Sequence, residues 1–188
     1  MSNFIEEQEL IEGCLLGNHK SQAALYNKYA AKMFGVCLRY SSSRMEAEDT
    51  LHEGFMAVFE TLERFEARGA FEGWVRRIMI NTALKKYKRE RVYQLMDFNA
   101  DVMGESANEN DFSPLQKMQT DDLIKLVQKL APGYRNIFNL YAIEGYNHRE
   151  IGEVLGISEG TSKSQMARAR VLLQAMINKQ YNNEYEQR

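Results

Sequence analysis

Residues Asn147 to Leu173 read NHREIGEVLGISEGTSKSQMARARVLL, and their punctuation sets the architecture of the chain's second half. Ile151, Val154 and Leu155 fall on one side of a short helix, and Gly152 lets a neighbouring segment approach closely. Gly156 follows, where a tight turn needs a positive φ that a Cβ would oppose. Ser158 is a natural N-cap for the next helix, with Glu159 complementing the positive end of its dipole. Beyond the cap, Ser162, Met166, Ala169, Leu173 and Met176 recur at intervals of four, three, four and three, which marks a packed side. The layout is a helix-turn-helix.

Away from that packed side point Thr161, Ser164, Gln165 and Arg168. Hydroxyls, an amide and a guanidinium supply short donors for phosphates and forked donors or acceptors for base edges in a major groove. Lys163 and Arg170 lie at the margin and add two charges for phosphate contact. Read without context, the same set is the solvated polar face of an ordinary helix. The turn and the helix together favour DNA.

Outward from this motif, the second half reads as four helices near 119–130, 133–143, 147–155 and 159–178, with Pro132 suited to a first turn, where its missing N–H costs no bond. The segment 94–114, QLMDFNADVMGESANENDFSP, has weak periodicity, many Asn, Asp and Ser residues and a terminal Pro114, and reads as a flexible linker. It separates a first unit, residues 1–93, from a second, residues 115–188. Helices near 5–16, 21–40, 45–65 and 71–92 are expected in the first unit. In the third of these, Leu51, Phe55, Val58, Phe59 and Leu62 form a buried stripe, and Asp49, His52, Glu53, Met56, Glu60 and Glu63 fall in a second sector. No strand pattern persists. The expected fold is all-α, two small helical domains on a tether.

Composition agrees with that reading. The chain has 188 residues, 44% hydrophobic and 27% charged, with only 2 prolines, which excludes wholesale disorder and a turn-rich sandwich. No apolar run reaches the roughly 18 residues of a membrane span. The beginning, Met1-Ser-Asn-Phe-Ile-Glu-Glu, lacks the basic flank and apolar run of a signal peptide, so a cytoplasmic location is expected. Cys14 and Cys37 have no CxxC spacing and read as small buried hydrophobes. A net charge of −2 argues superficially against nucleic acid, but Lys85 to Arg91, KKYKRER, carries five positive residues and one negative. Catalysis finds no support, since His19, His52 and His148 fit no metal-ligand spacing, and neither a phosphate loop nor a G-x-S-x-G elbow is present. No metal, cofactor or small-molecule substrate is expected.

The segment Leu130 to Arg170 resembles region 4 of bacterial RNA polymerase sigma factors of the sigma-70 family, and AEDTLHEGFMAVFETLERFE, Ala47 to Glu66, resembles region 2. Their order, with a short linker and no domain between, is similar to the extracytoplasmic-function subgroup. The resemblance implies that region 2 binds the β′ clamp helices of core RNA polymerase and opens the −10 promoter element. Region 4 would bind the −35 duplex and the β flap, and an anti-sigma factor is an implied regulator. Carried over by position, Asp49, His52, Glu53 and Met56 become polymerase contacts. Phe65 to Gly73 becomes the loop that receives a flipped −10 base. Phe71, Trp74, Asn81, Lys85, Lys86, Lys88 and Arg89 become −10 contacts, as the following helix tracks the strand, while taken singly Phe71 and Trp74 read as core. Ser158, Thr161, Lys163, Ser164, Gln165, Arg168 and Arg170 become −35 contacts. The family more often has Gln at position 52, and commonly Val and Arg at 162 and 165. Two other readings stay open: a free-standing helix-turn-helix regulator, which binds operator DNA alone and usually as a dimer, and a helical protein-interaction adaptor.

Overall fold

The computed structural model describes residues 2–97 and 120–186, and among these every regular element is helical. The elements are α1 (Ser2–Leu15), α2 (His19–Tyr40), α3 (Arg44–Glu60), α4 (Phe71–Asp97), α5 (Thr120–Gln128), α6 (Pro132–Phe138), α7 (His148–Leu155) and α8 (Glu159–Glu186). A 3-10 turn, Leu62–Arg64, follows α3, and a π turn, Asn139–Ile143, follows α6. The chain divides into two compact units, Met1–Lys85 and Lys86–Arg188.

In the first unit, local chemistry fixes the helix starts. The Asn18 side chain accepts hydrogen bonds from the N–H groups of Lys20 and Ser21 to open α2. Ser43 accepts from the Glu46 N–H to open α3, while the Glu46 carboxylate accepts from the Ser42 N–H at 2.7 Å. Caps of this kind each stabilise by about 0.5–2 kcal/mol. The core is apolar and drawn mainly from three helices, Leu25, Met33 and Val36 of α2, Leu51, Phe55 and Val58 of α3, and Phe71, Val75, Met79 and Leu84 of α4, with Cys14 of α1 and Leu62 of the 3-10 turn also buried. Burying each such side chain contributes about 1.5–3 kcal/mol. Gly54 brings α3 against α4, because a Cβ there would collide with the Met79 sulfur. Both cysteines are buried and free, and burial pushes the Cys37 thiol up to about 12.

Two boundaries differ from expectation. The third helix stops at Glu60 rather than 65, where the Thr61 hydroxyl donates to the Ala57 carbonyl at 2.6 Å and the chain tightens into the 3-10 turn. α4 runs through residues 94–97, expected as linker, since Gln94, Leu95 and Met96 are good helix formers that continue the turn. The rest of the expected linker, through residue 114, lies outside the described residues. The division between units also falls inside α4, before residue 93. Leu84 is the last buried apolar residue among those whose side chains are described in α4, and Lys85, Lys88, Arg89 and Glu90 are exposed.

In the second unit Leu126, Val127 and Leu130 pack on Ala169, Leu173 and Ile177 of α8, with Tyr134, Phe138 and Met176 partly buried against them. Ile177 thus takes the buried place that the spacing gave to Met176. Pro132 occupies the first turn of α6. Asn147 and Glu150 make a reciprocal capping box at α7: the Glu150 N–H donates to Asn147 Oδ1 at 2.9 Å and the Asn147 N–H to Glu150 Oε2 at 2.8 Å. Gly156 closes α7 in the left-handed region at φ 68°, and a Cβ on Gly152 would lie 2.8 Å from the Ile157 carbonyl oxygen. The helix-turn-helix therefore forms as its glycines require.

Candidate functional site

α3 places Asp49, His52, Glu53 and Met56 together on one exposed face. Asp49 and Glu53 form no ion pair among the described residues, and the His52 ring lies tilted to that of Tyr26, 6.4 Å between centroids. Met45, exposed by 73%, lies one turn before Asp49 on the same face, and Met56 is exposed by 63%. The face is thus acidic in its middle and apolar at its ends. Met45 was missed because it stands outside the stretch carrying the resemblance, although its spacing of four from Asp49 was visible.

The loop between the 3-10 turn and α4 is anchored by aromatics. Phe65 sits edge-on to Phe71 with centroids 5.0 Å apart, and Trp74 lies 5.5 Å from Phe65 and 5.6 Å from Phe71. Phe71 is only 2% exposed and also packs on Tyr29, so it is corrected from −10 contact to core: a ring closed in on these sides has no free face for a base. Trp74 is half-buried in the same cluster. Between Phe65 and Phe71 the residues 66–70 are exposed, with Ala67 held at φ 53° and Gly69 at φ 120°.

Further along α4, Asn81, Lys85, Lys88 and Arg89 are exposed and Lys86 is half-buried. Spacings of four and three bring Asn81, Lys85 and Lys88 onto one side of the helix. Exposed Arg77 begins that row one turn earlier. It was overlooked because it lies before the dense run of charge, where counting net charge gives no signal.

At α8, Ser158 caps the helix, its Oγ accepting from the Thr161 N–H at 3.0 Å and lying 2.8 Å from Thr161 Oγ1. The Ser164 hydroxyl donates to the Thr161 carbonyl at 3.1 Å. Thr161, Ser164, Gln165 and Arg168 share the outward side, Ser164 exposed and the others half-buried. Lys163 and Arg170 are not brought there. At about 100° per residue both stand on the opposite flank of the packed stripe from Thr161 and Arg168. Lys163 is held by Glu159 at 2.7 Å, and the Arg170 guanidinium lies over the Tyr141 ring, 5.8 Å from its centroid. The ion pair lowers the Glu159 carboxyl and raises the Lys163 ammonium relative to their ordinary values. A concavity lined by Arg149, Glu153, Ile157 and Glu159 opens beside the turn.

Residues 25–92 match the family profile Sigma-70 region 2, and residues 120–173 match Sigma-70, region 4. The RNA polymerase sigma-H factor of Pseudomonas aeruginosa is 30% identical over 177 residues, covering 88% of this chain and 90% of its own. The chain belongs to the sigma-70 family. The ECF RNA polymerase sigma-E factor of Haemophilus influenzae is 27% identical over 189 residues, 94% of this chain and 98% of its own. A likeness in fold extends to the sigma factor RpoE of Bartonella quintana, solved in complex with the anti-sigma factor NepR. That structure has a TM-score of 0.50 and 21% identity over 83% of this chain and 96% of its own. This sigma factor carries region 2 on α2, α3 and α4, and region 4 on α5 through α8. Among its described residues no group of three or more His, Cys, Asp or Glu could hold a metal ion, and no helix is long and apolar enough to cross a membrane.

Proposed function

We propose that this sigma factor joins core RNA polymerase in the cytoplasm and directs initiation at a specialised promoter class, having no enzymatic activity of its own. The α3 face of Asp49, His52, Glu53 and Met56 docks on the β′ clamp helices, and Met45 extends it. Region 2, assigned to residues 1–93, opens the −10 element: the loop 66–70 receives the extruded base, and Asn81, Lys85, Lys86, Lys88 and Arg89 track the strand, joined by Arg77. Region 4, assigned to residues 115–188 beyond the linker 94–114, reads the −35 duplex through Thr161, Ser164, Gln165 and Arg168, with Ser158 at the helix start, and meets the β flap. An anti-sigma factor regulates the chain.

The observation that carries the reading is the row Arg77, Asn81, Lys85 and Lys88 on one side of α4, one helix after the anchored loop. An operator-binding regulator needs a reading helix but no surface for a single strand. Extruding a base costs a few kcal/mol, and a cationic row beside a loop offsets that by holding the displaced backbone. Holoenzyme carrying Lys85→Ala together with Lys88→Ala is therefore expected to reach the promoter but to form fewer open complexes, read by permanganate reactivity of unpaired thymines at −10. Premelted templates should recover the lost transcription. Unchanged permanganate reactivity would overturn the role of these lysines, and failure of the unaltered chain to support promoter-specific transcription by core polymerase would overturn the reading itself.

A further inference from the structure

Behind the reading face, where α7 meets α8, three polar side chains meet in a position that hydrophobic packing would ordinarily fill. The Ser162 side chain, 0% exposed within the packed stripe of α8, has its Oγ 2.9 Å from His148 Nδ1. The His148 ring in turn lies flat on Tyr141 from the π turn, with centroids 4.5 Å apart and an interplanar angle of 16°. One imidazole therefore ties α8, the first residue of α7 and the π turn together. Losing its hydrogen bond would leave a buried hydroxyl unpaired, which costs more than the bond itself contributes.

We propose that His148 is the positioning residue of the reading helix: seated on Tyr141, it fixes Ser162, and as a neutral imidazole it sets how α8 meets the −35 duplex. The proposal rests on region 4 reading that duplex. The neutral form is the one the surroundings favour. From α8, Lys163 and Arg170 face the ring with positive charge and Glu159 opposes them. From the π turn comes Tyr141, which already carries the Arg170 guanidinium, and Arg149 and Glu150 follow His148 on α7. The start of α7 also disfavours a cation. Burial first, then Lys163, holds His148 below its ordinary value of 6.5. A neutral ring accepts from the Ser162 hydroxyl or donates to it, according to its tautomer. An imidazolium only donates, so where Nδ1 had accepted the hydroxyl must turn, and in either tautomer a new cation then sits on the same aromatic ring as Arg170.

The test uses holoenzyme and two fluorescent promoter probes, one intact and one with a scrambled −35 element. The intact-to-scrambled affinity ratio is followed from pH 8 to 5.5, which cancels titration elsewhere in the polymerase. Unaltered protein should hold a constant ratio above about pH 7 and lose it as the pH falls below 6.5. His148→Asn should stay within about threefold of the unaltered ratio at pH 7.5 and lack the acid decline, because its amide occupies the place of Nδ1 without titrating. Ser162→Ala should lower the ratio about three- to tenfold at pH 7.5, the worth of one buried hydrogen bond. An undiminished ratio in Ser162→Ala, or an acid decline that persists in His148→Asn, overturns the proposal even where Arg168→Ala weakens binding. A normal ratio in Arg168→Ala with a lowered one in Ser162→Ala removes Arg168 and keeps His148. A ratio of one in the unaltered holoenzyme removes both.

Discussion

On α3, Leu51, Phe55 and Val58 face the core while Asp49, His52, Glu53 and Met56 face solvent, and the two sets share no residue. At the start of α8 the duties overlap. The Ser158 hydroxyl caps the helix by accepting from the Thr161 N–H and lies 2.8 Å from the Thr161 hydroxyl, at the end proposed to meet DNA, and buried Ser162 is held from behind by His148. A helix that separates its core and working faces tolerates change on one without disturbing the other. A helix whose short side chains serve both transmits each change.

The contrast breaks most readily in the first unit's core. Phe71→Ala should destabilise that unit by about 3–5 kcal/mol, the cost of a buried aromatic truncated in a closed cluster. Denaturant unfolding of the full chain measures it. A loss below about 1 kcal/mol would put Phe71 back among the strand-facing residues. Next, Arg168→Ala should cost about 1–3 kcal/mol at one base position if the guanidinium reads a base, or a nearly uniform loss if it holds phosphate. A scan of −35 variants separates the two, and no loss on any promoter would mean that α8 docks by another face. Reversing Asp49 or Glu53 to Lys should weaken association with core polymerase by about 1 kcal/mol or less at moderate salt, with helical content intact. Both variants binding like the unaltered chain at matched salt would remove the acidic face. The smallest effect is acid sensitivity of the second unit. Since the folded His148 lies below 6.5, the unfolded chain takes the proton first, so stability is complete above that pH and declines as pH falls through the window beneath it. His148→Asn should lack that part of the decline in unfolding midpoint between pH 7.5 and 5.5, and an identical decline in both proteins would count against it.

The same overlap governs what the sequence disclosed. Gly156, Ser158 and Pro132 were legible because caps and turns are decided within four residues. The two faces of α3 were legible because one period separates them. Phe71 was misplaced by weight given to the neighbouring loop, although its spacing of four to Val75 and again to Met79 marks a core stripe. Lys163 and Arg170 were assigned by charge alone, whereas their partners, Glu159 one turn back and Tyr141 on a separate element, decide where the charge goes. The π turn left no periodic trace. It accompanies the complete burial of Asn139, a tertiary circumstance, with the Glu144 N–H donating to the Asn139 carbonyl at 3.0 Å.

Gly54 has a mechanical meaning. It leaves the Met79 thioether seated directly against the backbone of α3, in the place where a Cβ would otherwise stand. On α4, Met79 lies between Arg77 and Asn81, and on α3, Gly54 lies between Glu53 and Met56. The exposed face of α3 and the exposed row of α4 therefore stand on two helices that meet directly through Met79. A methyl group at position 54 would displace the Met79 thioether, so the adjustment to any larger residue there falls first on that one flexible side chain.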